Sequence, residues 1–427
     1  MLTDSTVSLR DLVLAMSNLM DLVNPVFSNH HHQVAYIALS IARELGLPED
    51  EINAIVIAAS LHDTGALSVR ERLHLLEFEV LDRHAHAERG YSLLKSFEPL
   101  RRSAEIIRYH HVWWEEREEF LSSRAAANGI PLGSHILHIS DRAAVQIRAE
   151  NKDILNQSEE IVRRVAAKSG SMFMPVLVEI FANLARKEYF WLDLVSPGAR
   201  AELLTQVNPV SIGLSSDRFL KFADLFRRVI DFRSRFTATH SAGVAAVAES
   251  LARHVGFSDG ECLQMKVAGF LHDLGKLAIP AEILDKPGKL TFEEINAMKS
   301  HTYHTYRTLE QITGFSTIAA WAAFHHERLD GTGYPFKLSA KDIPIGARIM
   351  AVADVFTALT EDRPYRKGQS PDQALSVVKK MALENHLDPL IVSTVENNFE
   401  ELNLIRATAQ VQSLSQFGSL PAFNQTG

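Results

Sequence analysis

Residues Phe270–Pro280 read FLHDLGKLAIP, and a reduced version of the same stretch, SLHDTGALS, occupies Ser60–Ser68. In each, a histidine stands directly before an aspartate: His272-Asp273 and His62-Asp63. A neutral imidazole nitrogen beside an anionic carboxylate oxygen suits Fe, Mn, Zn or a related divalent ion. One such pair carries little weight, because a lone histidine on a helix is ordinarily a solvated or hydrogen-bonded residue. The surroundings carry more. Outward from the first pair the order is His30, His62-Asp63, His86, His110-His111, Asp141, with gaps of 32, 24, 24 and 31 residues. Outward from the second it is His240, His272-Asp273, His301, His325-His326, Asp354, with gaps of 32, 29, 24 and 29. Ordinary helical faces have no need to place five histidines and two aspartates in one order twice.

The flanks keep the same register. LGLPEDEINAIVIAASLHDTG lies opposite VGFSDGECLQMKVAGFLHDLG, IPLGSHILHISDRA opposite IPIGARIMAVADVF, and FMPVLVEIF opposite LDPLIVSTV. A repeat this long is a duplicated domain; a solenoid would repeat every ~20–50 residues. The expected organisation is one module over residues 1–200, a second over 201–406, and a polar C-terminal tail over 407–427. The boundary is drawn near SPGARAELLTQVNPVSIGLSSD, which has two prolines, two glycines and little periodicity.

Both modules read as helical. Val34–Leu45 and Gly243–His254 carry apolar residues three and four apart, as do Glu51–Leu61 and Glu261–Leu271 behind acidic starts. Phe219–Arg235, Met174–Lys187 and Pro371–Asn385 read as further amphipathic helices. HILHIS and RIMAVA are short enough for strands, but helix is preferred because each aspartate then follows an apolar helical face.

Composition sets limits on the rest. The chain has 427 residues, 46% hydrophobic and 22% charged, enough to build a core. A single cysteine, Cys262, excludes an internal disulfide framework and a thiolate cluster. A formal charge of -8 disfavours tracking along DNA or RNA, so no long nucleic acid is expected as a partner. No apolar run approaches membrane-spanning length, and the start lacks a signal-like pattern. A cytoplasmic chain without membrane contact is expected.

In the second module the seven candidate ligands are His240, His272, Asp273, His301, His325, His326 and Asp354. Seven side chains exceed what one tetrahedral ion needs and fit two ions with positions open for water and substrate. A carboxylate can bridge such ions, which then lie ~3.5–4 Å apart.

Taken together, FTATHS, FLHDLGKLAIP, MKSHTYHT, FHHERLDGTGYP, IPIGARIMAVADVFTALTEDRPYRKG and LDPLIV closely resemble the HD-GYP family, a branch of the HD superfamily of metal-dependent phosphohydrolases. The resemblance spans almost all of the second module. It implies an all-α fold of two tandem HD-type helical domains, the second of HD-GYP type. It implies two or three divalent ions, Fe or Mn, and hydrolysis of cyclic di-GMP to pGpG or GMP; some members prefer 3′,3′-cyclic GMP-AMP. Carried over by position, the seven residues are the metal ligands and Asp273 is the bridge. Lys276 contacts a substrate phosphate or offsets transition-state charge. Tyr334, in the turn-forming Asp330–Pro335 segment DGTGYP, borders a base or phosphate. Arg363 and Arg366 in RPYRK approach the phosphates, a task suited to a planar guanidinium.

There are departures. Phe236 stands where some members have a glutamate that helps to hold a third metal, so two ions are expected. Thr357 stands where an aspartate is frequent, which puts water positioning or the support of the ligands in question. Thr302 replaces a usual proline. Thr357 is also the best sequence support for an alternative, a catalytically silent cyclic-dinucleotide receptor; Lys276 and the intact ligand set argue against it.

The first module resembles a simpler HD domain. It retains a full ligand-like set in His30, His62, Asp63, His86, His110, His111 and Asp141, a possible second metal site. It has Ala66 where the second has Lys276, VWWEEREE after His111 in place of DGTGYP, and no RPYR run after Asp141. His31, His32 and His84 read as bystanders; Trp113 and Trp114 could stack on a base, although packing or an interface is the commoner use of such rings. Three roles stay open: a metal- or ligand-sensing regulator, a packing or dimerisation domain, and a phosphohydrolase for another substrate. Either all-helical module could support a homodimer.

Overall fold

Local chemistry sets where the helices begin. Ser258 and Glu261 cap one start reciprocally: Ser258 Oγ accepts the Glu261 amide, and the Glu261 carboxylate accepts the Ser258 amide at 2.9 Å. Thr291 with Glu294 and Ser370 with Gln373 repeat the device. Asp388 accepts the Leu390 amide ahead of a proline in the first turn.

The computed structural model describes residues 6–22, 29–66, 71, 78, 84–118, 129–148, 153–196, 198, 211–213, 216–233, 239–362 and 367–417. In chain order these form β1 (Thr6–Ser8), α1 (Leu9–Asp21), α2 (His30–Glu44), α3 (Glu49–Leu61), α4 (Ala85–Leu94), α5 (Arg101–Arg108), α6 (Leu132–Ala144), α7 (Leu155–Ala166), α8 (Pro175–Ala185) and α9 (Glu188–Val195). Then follow β2 (Ser211–Gly213), α10 (Ser216–Arg233), α11 (His240–His254), α12 (Asp259–Leu271), α13 (Ala281–Leu284), α14 (Phe292–Leu309), α15 (Ser316–Ala323), α16 (Ile345–Thr360), α17 (Pro371–Leu383), α18 (Pro389–Asn397) and α19 (Phe399–Phe417). The all-α expectation holds, and HILHIS and RIMAVA lie inside α6 and α16.

The chain divides into two compact units, Leu12–Val210 and Met1–Asp11 with Ser211–Gly427. Within the second, β1 pairs antiparallel with β2, Thr6 opposite Gly213 and Ser8 opposite Ser211. This ladder puts the chain's first residues with the second unit, whereas the sequence reading assigned 1–200 to the first module and began the second at 201. Three-residue strands leave too short a pattern to read.

Each unit has the same helical nucleus. In the first, α2 packs on α3 and α6, α3 on α5, and α4 on α5 and on the 3-10 turn His62–Gly65. In the second, α11 packs on α12 and α16, α12 on α15, and α14 on α15 and on the 3-10 segment Leu274–Ala278. Val34, Ile37, Ala38 and Ile41 on α2 are fully buried, as are Val244, Val247, Ala248 and Leu251 on α11. Both sets follow the i, i+3, i+4, i+7 spacing of one helical face. Each large side chain among them contributes ~1.5–3 kcal/mol by leaving water.

The tail expected over 407–427 is corrected as far as Phe417, because α19 continues to that residue and packs along α11. Its inward face carries Arg406, Gln410 and Ser413, all buried, while Leu404, Val411 and Leu414 are exposed. A helix that buries polar groups and exposes apolar ones gives no hydrophobic periodicity to read.

One close approach fixes the site's geometry. A Cβ on Gly275 would lie 1.9 Å from the His301 carbonyl oxygen, and one on Gly65 would lie 2.1 Å from that of His86. Only glycine lets α14 and α4 seat against the turns that carry the His-Asp pairs. Gly275→Ala is therefore expected to destabilise the second unit by ~1–3 kcal/mol through overpacking. Gly260→Ala on α12, where a Cβ meets open space, is expected to be neutral or stabilising by up to ~1 kcal/mol. Urea midpoints of the two variants check this, and equal midpoints would refute it.

Candidate metal centre

In the second unit, α11 supplies His240 at its first position, His272 caps the C-terminus of α12, and Asp273 follows in the turn. His301 comes from α14, Asp354 from α16, and His325-His326 from the turn just after α15, behind Phe324. The distances bring all seven residues together. Ligand atoms of His240, His272 and Asp273 lie within 4.8 Å of one another, and so do those of His301, His325 and His326. Asp273 joins the triads: Oδ2 is 3.3 Å from His272 Nε2, and Oδ1 is 3.4 Å from His301 Nε2. Asp354 Oδ1 is 3.0 Å from His240 Nε2.

Three of the imidazoles are oriented in the same way. His272, His301 and His325 donate from Nδ1 to the carbonyls of Gly269, Met298 and Ala322, at 2.7, 2.7 and 2.6 Å. A carbonyl only accepts, so the proton sits on Nδ1 and the lone pair on Nε2. All three Nε2 atoms are buried and make no hydrogen bond. Unpaired buried nitrogens aimed at shared carboxylates are what a divalent ion would satisfy, so this donor set fits one.

The electrostatics agree. Burial depresses the His301 pKa to about 3 and pushes those of His325 and His326 down, so these rings are neutral donors at neutral pH. Burial opposes ionisation of Asp273 and Asp354, but interactions with neighbouring groups outweigh it, chiefly with His272 and the Lys276 ammonium for Asp273 and with His240 for Asp354, and both stay well below the carboxylate range. Lys276 Nζ sits 2.6 Å from Asp273 Oδ2, on a 3-10 turn rather than one α-helical turn beyond His272.

Tyr334 lies against the site: its ring is 4.9 Å from that of His326, and its amide bonds the His326 carbonyl. Glu327, which the sequence reading passed over, holds that loop. Its buried carboxylate accepts the Phe336 and Leu338 amides at 2.7 and 3.0 Å. Thr302 is buried and bonds the Lys299 carbonyl, a local substitute that leaves α14 intact. Arg363, Arg366 and Phe236 lie outside the described residues.

Glu361 was also missed. It closes α16, is buried, and accepts from His240 Nδ1 at 3.1 Å; Gln410 Nε2 holds it at 2.9 Å. Thus His240 has its own carboxylate support although Thr357 carries none. Positions 354, 357 and 361 share one helical face, the signal by which Glu361 could have been found.

The first unit gathers its own set. Ligand atoms of His30, His62 and Asp63 lie within 4.8 Å of one another, as do those of His86, His110 and His111. His62 and His110 again donate from Nδ1 to the carbonyls three residues earlier, at 2.9 and 2.6 Å. Asp141 Oδ1 is 3.3 Å from His30 Nε2. Two differences stand out. Arg142 is fully buried and bonds Asp141 Oδ2, where the second unit has Val355. His31 is no bystander but lies inside the cluster, 1% exposed, whereas His32 bonds Asn18 at its edge. Trp114 packs on His135 and Arg117.

HD-domain family models match residues 27–145 and 224–391. The chain is 30% identical over 403 residues to a 3′3′-cGAMP-specific phosphodiesterase of Vibrio cholerae, covering 92% of this chain and 93% of that protein. It is 41% identical over 158 residues to a cyclic di-GMP phosphodiesterase of Pseudomonas aeruginosa, covering 36% and 37%. A crystal structure of a cyclic GMP-AMP-specific phosphodiesterase of V. cholerae superposes with a TM-score of 0.62 at 22% identity, over 98% of this chain and 99% of that one, a likeness of fold. The chain belongs to the HD-GYP family of metal-dependent cyclic-dinucleotide phosphodiesterases. Among the described residues no helix is long and apolar enough to cross a membrane.

The His240 environment sets a pH dependence for the metal-free protein. Burial disfavours the imidazolium, but the Glu361 and Asp354 carboxylates outweigh it and raise the pKa to about 10. The folded value exceeds the unfolded one of ~6.5. The resulting stability is therefore full below ~6.5 and lost as pH rises through about 10. Chelator-treated protein should lose urea resistance across that window, and Glu361→Gln should flatten the loss. Identical slopes in wild type and variant would contradict the assignment.

Proposed function

We propose that the second unit hydrolyses a phosphodiester bond of 3′,3′-cyclic GMP-AMP, with two divalent ions held by His240, His272, Asp273, His301, His325, His326 and Asp354. The observation that carries this reading is Asp273, with one oxygen near His272 Nε2 and the other near His301 Nε2, while the Nε2 atoms of His272, His301 and His325 make no hydrogen bond. Bound ions supply Lewis acidity and an activated water. The chain's own residues supply the rest. Asp273 bridges. Lys276, one-fifth exposed at the rim, turns its ammonium to the phosphate and offsets charge that develops in the transition state. Tyr334 borders the bound nucleotide, and Arg363 and Arg366 engage its phosphates. Mixed imidazole and carboxylate donors suit Fe or Mn.

The choice of dinucleotide rests on the relative matched across both units, whose name specifies 3′3′-cGAMP. Cyclic di-GMP is the second reading, supported by the higher identity to a cyclic di-GMP phosphodiesterase over 158 residues. An anaerobic, metal-quantified assay with both substrates separates them. Faster opening of cyclic GMP-AMP to a linear dinucleotide is expected, and faster turnover of cyclic di-GMP would reverse the order. Lys276→Ala should lower kcat by ~10²-fold or more while retaining its ions. His272→Ala should lose both ions and activity. Full turnover by His272→Ala would end this reading.

A further inference from the structure

The two clusters differ most at the carboxylate between their triads. In the second unit Asp273 Oδ2 carries the Lys276 ammonium at 2.6 Å. The first unit has Ala66 at the matching position, so no lysine can reach Asp63 from there. His31 Nε2 lies 4.0 Å from Asp63 Oδ2. Position 241, which matches His31, is a serine. The first unit thus places a further potential ligand beside this carboxylate.

His31 is built in rather than left over. Its Nδ1 bonds Asp21 Oδ1, from a residue 7% exposed at the end of α1. With the carboxylate accepting, the Nδ1 proton is fixed and the lone pair is left on Nε2. That nitrogen is buried and makes no hydrogen bond. The ring centroid lies 5.1 Å from that of His62 and 5.6 Å from that of His30. A buried polar atom without a partner costs ~1–3 kcal/mol, a cost that coordination would remove. Carboxylate to imidazole to metal is the usual way a protein aims such a ligand.

We propose that the first unit binds a divalent transition-metal ion through His30, His31, His62 and Asp63, with Asp21 holding His31 in its ligating orientation. The inference rests on the reading of the histidine–aspartate clusters as metal centres. Three imidazoles and a carboxylate complete a four-coordinate shell, and a filled shell is the mark of a structural site rather than a catalytic one. Exposure agrees: the Asp141 side chain is 1% exposed and that of its counterpart Asp354 is 14%. The nitrogen-rich set favours Zn, Co or Fe over Mg or Mn. The ion stabilises the unit and does not turn over a phosphate ester.

The test uses full-length protein stripped of metal and titrated with Co(II), read by metal content, the visible ligand-field spectrum and the thermal midpoint. His62→Ala should lose the first-unit ion and His272→Ala the second-unit ions. His31→Ala should weaken the first-unit ion more than tenfold and shift its ligand-field bands. Asp21→Asn, which leaves the ring in place, should weaken it by ~10–100-fold, as loss of a ligand's support does. Both should retain every ion that His272→Ala loses. If His62→Ala loses an ion but His31→Ala and Asp21→Asn bind it as wild type does, the role of His31 is overturned and the metal centre stands. If His62→Ala retains every ion, the metal reading of the first unit fails as well.

Discussion

The structure depends on a bond of very short range. Four histidines at or just beyond a helix end, His62, His110, His272 and His325, and His301 within α14 donate from Nδ1 to the carbonyl three residues before. That bond fixes the proton on one side of the ring and commits the other side to whatever lies at the centre. Ligand direction thereby becomes a property of the helix, and helix packing alone converges the set. The price is a cluster of buried nitrogens with nothing to bond, tolerable because each nucleus is closely packed apolar surface and an ion can answer them together.

Much of this was legible in the sequence because its signals are local or repeated. The His-Asp pairs, the apolar spacing of α2 and α11 and the repeated order of ligands locate both nuclei and the seven residues gathered in the second. What escaped were residues whose value appears only across the fold. Glu361 is a glutamate in a charged run until α16 places it against His240. Glu327 looks like a solvated neighbour of His326 until its carboxylate is seen gathering two amides of the following loop. His31 looks like one of three consecutive histidines, and only the position of Asp21 distinguishes it from His32. The ladder of β1 with β2 joins segments some two hundred residues apart, beyond any periodicity argument.

Duplication makes the two units comparable side chain by side chain. Both keep the glycine beneath the third histidine, since any side chain there would collide with backbone. They diverge in charge around the carboxylate. The second unit keeps a partly exposed lysine on Asp273 and a tyrosine-bearing loop beside His326. The first buries an arginine and an additional histidine instead, so its charges are matched internally.

The support of His240 has a bearing on biosynthesis. Glu361 lies 121 residues beyond the histidine it steadies, and Gln410, which steadies Glu361, lies 49 residues further on. A ribosome making this chain releases the first ligand long before its support exists. Contacts of such sequence separation close late in folding. The nascent unit can therefore collapse around its apolar helices before Glu361 and Gln410 arrive to orient its first imidazole.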